Sequence, residues 1–232
     1  MSIHLEKELA RLKKRLLHMA AVVEEDARKA VMAATTRDVQ LAREVVEKDT
    51  EIDAIEVEIE EECLKILALH QPVAADLRFV VACLKINNDL ERIGDLSVKI
   101  AKRAIVIAKD SERTIPVDFS TLMEKAQRML KTSLDALMER SCPLARSVLA
   151  LDDEVDALNK DIRKQITQLI KEKPDRVEHL LSLMNIARNL ERIADCATNI
   201  AEDIVYLIEG DIVRHGGGAL HPRPLPFKES EK

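Results

Sequence analysis

Scarcity of glycine is the feature that most constrains how this chain can fold. Its 232 residues include only five glycines, three of them consecutive at 216–218, and residues 1–93 contain none. The tight turns that connect β-strands depend on glycine. Aromatic residues, which are enriched in strands, make up only 2% of the chain, and tryptophan is absent. The sequence therefore predicts an all-α protein with an aliphatic core.

Charge and hydropathy limit the classes of partner. Hydrophobic residues make up 47% of the chain and charged residues 34%, enough apolar material for a sizeable core. The net charge of −6 argues against a nucleic-acid partner. No apolar run approaches the roughly 20 residues that cross a bilayer, and the N-terminus lacks the apolar region of a secretory signal. We expect a cytoplasmic protein with no transmembrane segment.

Motifs for catalysis are missing from the sequence. It has no glycine-rich phosphate loop and suggests no Ser-His-Asp or Cys-His arrangement. None of the six histidines has a glutamate three positions before it, as ferritin-type di-iron sites require. The four cysteines are isolated, which predicts free thiols in the core. We expect a protein that is not an enzyme and has no catalytic residues.

Prolines and capping residues divide the chain into helices. Internal prolines lie at 72, 116, 143 and 174, where each favours a helix boundary. Residues 35–38 supply a further break, and Thr121 with Glu124 and Asp175 with Glu178 are typical of capping boxes. The pattern predicts six helices near 3–35, 38–70, 73–110, 120–141, 143–172 and 175–209. After Gly210 the tail has glycine, proline and charge without periodicity, which indicates disorder.

The second half of the chain repeats the first. The stretch LAR at 41–43 recurs at 144–146 with an offset of 103, and LERIGDLSVKIA at 90–101 recurs as LERIADCATNIA at 190–201 with an offset of 100. The repeat therefore predicts that each half forms one three-helix unit. We expect two tandem three-helix bundles related by internal duplication, over residues 1–114 and 115–212, followed by a disordered tail at 213–232.

Pairs of carboxylates at spacing i, i+4 are repeated more faithfully than the apolar positions. Such spacing places both side chains on one helix face, here pointing away from the apolar seam. Two helices of each half contain such a pair. The pairs are Asp49 with Asp53, Glu91 with Asp95, Asp152 with Asp156, and Glu191 with Asp195.

Two interpretations of these acid pairs remain open on the residues alone. Acidic residues on a highly charged helical protein usually form a solvated face. Like charges at this spacing, however, cost about 0.2–0.5 kcal/mol each, so their repetition suggests a use. If the two rows of a bundle are neighbours, their oxygens suit hard cations such as magnesium, manganese, calcium or ferric iron.

Taken with the repeat, these motifs resemble the PhoU family, the phosphate-specific transport system accessory proteins. The resemblance runs from about residue 5 to 215. Its marks are ERIGD at 91–95, ERIAD at 191–195, their partner motifs DTEID at 49–53 and DDEVD at 152–156, and QPVAADLR at 71–78. Ala194 replaces the glycine that is common in the motif, a small change that leaves the carboxylates intact.

The resemblance implies a regulator that is not a catalyst. It implies tandem bundles whose acid motifs bind metal ions with oxygen ligands, such as iron, manganese or magnesium. It further implies a homodimer that restrains phosphate uptake and phosphate-starvation signalling, with the phosphate ABC transporter and a sensor histidine kinase as partners. The alternatives are a metal-binding or metal-storage protein without a signalling partner, and a structural bundle with solvated acids.

Overall fold

The computed structural model describes residues 3–109, 117 and 119–210, and within these it is helical without any strand. This confirms the all-α prediction. The helices are α1 (Ile3–Thr36), α2 (Val39–His70), α3 (Ala74–Ala108), α4 (Ser120–Glu139), α5 (Cys142–Leu149), α6 (Asp152–Glu172) and α7 (Val177–Glu209), with a 3₁₀ turn at Pro174–Arg176.

Two helical bundles lie side by side. In the first, α1, α2 and α3 pack on one another, and in the second α7 packs on α4, α5 and α6. The bundles join mainly where α3 packs along α7, with a smaller contact between α1 and α4. The tandem architecture inferred from the repeat is therefore confirmed, and the central pair α3 and α7 contains one acid motif from each half.

Corresponding turns of the two halves have the same construction. Arg37 and Arg140, at an offset of 103, end α1 and α4 with left-handed φ angles of 58° and 53°. The next residues are N-caps, since the Asp38 carboxylate accepts from the amides of Gln40 and Leu41, and the Ser141 hydroxyl accepts from that of Leu144. The predicted break at 35–38 is correct, and the duplication extends to its capping chemistry.

The predicted helix over 143–172 is wrong, because α5 ends at Leu149 and α6 begins at Asp152. The amide of Leu151 bonds to the carbonyl of Val148, three residues back rather than four, so the helix is interrupted here. Three acidic residues then occupy the first turn of α6, where the helix dipole favours negative charge. The break therefore places Asp152 at a helix start, whereas its counterpart Asp49 lies within α2.

The two predicted capping boxes are also wrong. Phe119 is the N-cap of α4 and Arg176 that of α7, and neither side chain makes a capping hydrogen bond. The 3₁₀ turn at Pro174–Arg176 precedes α7, so Asp175 lies outside that helix. The predicted tail at 213–232 lies outside the described residues. The predicted boundary at 114/115 also falls on residues that the structure does not describe.

Candidate functional site: two acid clusters

We call Asp49, Asp53, Glu91 and Asp95 the first acid cluster. Asp49 and Asp53 lie on α2, and Glu91 and Asp95 lie on α3, which packs against it. Asp53 is exposed and the other three are half-buried. The apolar positions beneath are buried as expected, including Ile52 on α2 and Leu90 and Ile93 on α3.

Electrostatics show that the two rows of the first acid cluster are neighbours. Partial burial raises the pKa of Asp49, and the carboxylates of Asp53 and of Asp95 on the facing helix raise it further. Partial burial likewise raises the pKa of Glu91, as do Asp95 and then Asp53 on the facing helix. Carboxylates of both rows therefore disfavour ionisation of Asp49 and Glu91.

Between these rows, the Ile52 side chain of α2 packs directly against Gly94 of α3. Gly94 lies between Glu91 and Asp95, and a Cβ added there would be 3.0 Å from Cδ1 of Ile52. Ile52 itself lies between Asp49 and Asp53 and is buried. In the second half the corresponding pair is Ala194 and Val155, so a methyl group gained on one helix is matched by one lost on the other.

We call Asp152, Asp156, Glu191 and Asp195 the second acid cluster, with two members on α6 and two on α7. Asp156 and Asp195 are exposed, and Asp152 and Glu191 are half-buried. Partial burial raises the pKa of Asp152, while Thr198 on α7 lowers it because its hydroxyl donates to Asp152 Oδ1 at 3.1 Å. This hydrogen bond joins the two helices at the cluster.

Asp195 has the most perturbed carboxyl group of either cluster. Its pKa is raised to about 6, first by the protein that surrounds it and then by Glu191, Asp152 and Asp156, while Arg92 from the first bundle opposes the shift. Part of this residue's surface remains exposed, so the carboxyl group is partly desolvated rather than enclosed. Both rows of the second acid cluster act on this one side chain.

The two clusters differ in their neighbouring cations. Lys99 Nζ lies 2.8 Å from Asp95 Oδ2, and Lys99 and Lys102 both lower the pKa of Asp49. The corresponding residues of the second half are Asn199 and Glu202. Lysines therefore partly neutralise the first acid cluster from its own helix, whereas Arg92 reaches the second from the other bundle.

The donor set fits a hard multivalent cation, since all eight groups are carboxylates. In the conformation of the described residues, no three His, Cys, Asp or Glu side chains are arranged to hold a metal ion. The structure thus brings the two rows of each cluster close enough to interact but not into a coordination sphere. Whether these eight residues are metal ligands stays a prediction.

Sequence reasoning missed several polar neighbours of the clusters, namely Thr198, Lys99 and Lys102. Aligning the two halves position by position would have found them, because Thr198 corresponds to Val98, Asn199 to Lys99 and Glu202 to Lys102. The effect of Arg92 on the pKa of Asp195 could not be found this way, since it depends on how α3 packs on α7. Among the cysteines, Cys63, Cys83 and Cys196 are buried free thiols and Cys142 is half-buried.

These features define a class of protein: an all-α tandem-bundle protein with a duplicated outward-facing acid cluster. No helix in the described ranges is long and apolar enough to span a bilayer. The PhoU domain model matches the chain twice, at residues 16–104 and 119–204. The chain therefore belongs to the PhoU family.

Relatives and solved structures agree with this assignment. The chain is 38% identical over 209 residues to a phosphate-specific transport system accessory protein PhoU homolog of Aquifex aeolicus, covering 90% of this chain and 95% of the relative. It is 38% identical to the homolog of Pseudomonas aeruginosa, covering 90% and 87%.

Two crystal structures have the same fold. PhoU from Pseudomonas aeruginosa superposes with a TM-score of 0.85 at 36% identity, covering 88% of this chain and 99% of that one. The phosphate transport system regulatory protein PhoU from Streptococcus pneumoniae superposes with a TM-score of 0.82 at 30% identity, covering 91% and 100%. The chain thus has a role as an accessory or regulatory protein of phosphate transport.

Proposed function

We propose that this protein is a cytoplasmic, homodimeric adaptor between the phosphate ABC transporter and a sensor histidine kinase. It represses phosphate uptake and phosphate-starvation signalling when phosphate is plentiful, and it catalyses no reaction. The observation that carries the proposal is the match to the family over both halves, together with relatives named as transport system accessory proteins. Two outward-facing acid clusters without catalytic machinery suit a binding role.

We propose further that each acid cluster binds a hard cation, such as iron, manganese or magnesium. Asp49, Asp53, Glu91 and Asp95 hold one site, and Asp152, Asp156, Glu191 and Asp195 hold the other. A bound cation supplies charge neutralisation and a link between two helices. Neighbouring carboxylates raise the pKa values of Asp49, Glu91 and Asp195, which supports this assignment because a cation would relieve that repulsion.

Deleting the gene tests the regulatory role. We expect phosphate-starvation genes, followed with a phosphatase reporter, to become active in high phosphate, because the restraint on the kinase is lost. Reintroducing the wild-type gene should restore repression. A reporter that stays silent in the deletion strain would contradict the proposal.

Recovery of the protein with its partners distinguishes an adaptor from a metal-storage protein. A tagged chain isolated from its own host should bring down transporter or histidine-kinase components, since an adaptor must contact at least one of them. A chain that carries metal but recovers neither component would favour storage instead. A tagged helical protein unrelated to this family serves as the control.

A further inference from the structure

The outer face of α6 is a basic stripe. Its exposed side chains line a shallow groove formed by α6 alone, and they are Lys160, Arg163, Lys164, Thr167, Gln168 and Lys171. The cations recur at i, i+3, i+4 and i+11, which places them along one side of the helix over roughly 16 Å. Of these four cations, only Lys164 has an ion pair among the described residues, to Asp161 at 3.0 Å.

The duplicated position on α2 has the opposite character. At the offset of 103, Lys160, Arg163, Lys164, Thr167, Gln168 and Lys171 correspond to Val57, Glu60, Glu61, Leu64, Lys65 and Ala68. Within this set Lys65 is paired with Glu8 on α1 at 3.8 Å, and the two glutamates carry the remaining charge. We call this set the acidic stripe. Its charges are exposed, and Val57 and Leu64 are 50% and 54% exposed. The same place in the two bundles thus has a cationic face on one and an acidic, partly apolar face on the other.

The two stripes complement each other in charge and in apolar surface. Glu60 and Glu61 correspond to Arg163 and Lys164, so opposite charges occur at the same spacing on both helices. The methylene stems of lysine and arginine can cover apolar surface while their charged ends stay polar, which suits Val57 and Leu64. Within one chain α2 packs on α1 and α3, and α6 packs on α7 and α4, so both stripes face outward.

We propose that the basic stripe of one copy binds the acidic stripe of a second copy of this chain. This assigns a surface to the self-association in the proposed function, on which it rests, and it needs neither the metal sites nor the signalling partners. If both contacts form between the same two copies, the result is a closed dimer. If they do not, the copies form a chain.

Charge reversal tests the assignment. We expect wild-type protein to associate at about 0.1 M salt and to dissociate towards single chains at about 1 M, where the screening length falls from about 10 Å to about 3 Å. The variants Arg163→Glu with Lys164→Glu, and Glu60→Arg with Glu61→Lys, should each weaken self-association at least tenfold. Mass in solution is measured by light scattering and sedimentation equilibrium.

Mixing the two charge-reversed variants tests the pairing of the stripes most sharply. An equimolar mixture of the two charge-reversed proteins should associate again, because every contact between unlike copies then joins opposite charges. Lys7→Glu with Lys14→Glu on α1 makes the same change in net charge as Arg163→Glu with Lys164→Glu, at exposed positions, and should leave association unchanged. Circular dichroism verifies that each variant is folded.

Two results would overturn the proposal and are distinguishable. A wild-type protein that is a single chain at both salt concentrations would refute the interface and the homodimer together. A dimer that neither salt nor either charge reversal weakens would leave the homodimer standing and refute these stripes as its interface. Failure of the mixture to associate, with both variants folded and separately weakened, would also refute the pairing.

Discussion

Asp26 on α1 is the most anomalous single residue. It is 1% exposed, and neither carboxyl oxygen has a hydrogen-bond partner among the described residues. Burial raises its pKa, as do Glu51 and Glu25, while Lys48 and Lys29 oppose the shift. At the offset of 103 its counterpart is Met129, which is fully buried. One bundle thus has a carboxyl group where the other has a core side chain.

Replacing Asp26 with methionine should stabilise the protein near neutral pH. An unsatisfied buried polar group costs about 1–3 kcal/mol, and each kcal/mol corresponds to roughly 2–4 °C in melting temperature for a chain of this size. Methionine is flexible enough to fill an irregular space. Melting curves of Asp26→Met are compared with those of Glu124→Met, a change at an exposed position of α4 that should have little effect.

The dependence on pH separates the charge from the packing. Because the folded-state pKa of Asp26 is raised above its ordinary value near 3.8, the unfolded state releases this proton first. The group's contribution to stability is therefore fully present below pH 3.8 and is lost as the pH rises through the folded-state pKa. The stability advantage of Asp26→Met should grow with pH over that window. An advantage that does not change with pH would contradict this explanation.

Helices α2 and α3 meet at Ile52 and Gly94, a large side chain packed against a residue that has none. Gly94 allows Ile52 to lie between the helices, and the second bundle has Ala194 with Val155 instead. Gly94→Ala gains about 1 kcal/mol of helix propensity but crowds Ile52, and Ile52→Val alone should cost about 0.5–1.5 kcal/mol. The two changes together reproduce the combination of the second half.

We therefore expect Ile52→Val and Gly94→Ala to be coupled. The change in the free energy of unfolding of the double variant, measured by urea denaturation, should be more favourable than the sum of the changes in the two single variants by at least about 0.5 kcal/mol. Contacting residues commonly couple by about 0.5–3 kcal/mol. Additive effects would mean that the crowding is relieved elsewhere and that this pair does not set the spacing of the acid rows.

Sequence patterns predicted the helices better than the boundaries between them. Apolar periodicity and proline placed most helices, and the repeat gave the architecture, because both depend on local spacing. The interruption between Leu149 and Asp152 escaped prediction because neither glycine nor proline occurs at 150–151. The capping boxes failed because a 3₁₀ turn precedes α7 and α4 begins one residue before Thr121.

The sequence predicted which carboxylates form the candidate site but not which cations surround them. Spacing alone placed each carboxylate pair on one face, and the facing rows do interact. Which cations neutralise each cluster depends on packing, because Arg92 acts on Asp195 across the α3 and α7 interface. No local pattern in the sequence predicts that electrostatic effect.

At the scale of the whole molecule, duplication has preserved the acid clusters while much around them has diverged. Asp26 and Met129, the residues at 99 and 199, and the stripes on α2 and α6 all differ between the halves. The eight carboxylates are retained in type at every position. We propose that these clusters are the functional sites of the protein and bind hard cations.

Measuring the metal content tests whether the acid clusters bind cations. Protein purified from its own host should contain metal by elemental analysis, and Glu91→Gln with Asp95→Asn, or Glu191→Gln with Asp195→Asn, should each halve it. Asp135→Asn with Glu139→Gln, the same charge change on α4, should leave it unchanged. When the concentration of free metal is 100 times the dissociation constant, binding should stabilise the fold by about 2.7 kcal/mol. Chelator should therefore lower the wild-type melting temperature. Wild-type protein that contains no metal, with a melting temperature that chelator does not change, would show that the acid clusters are not metal sites.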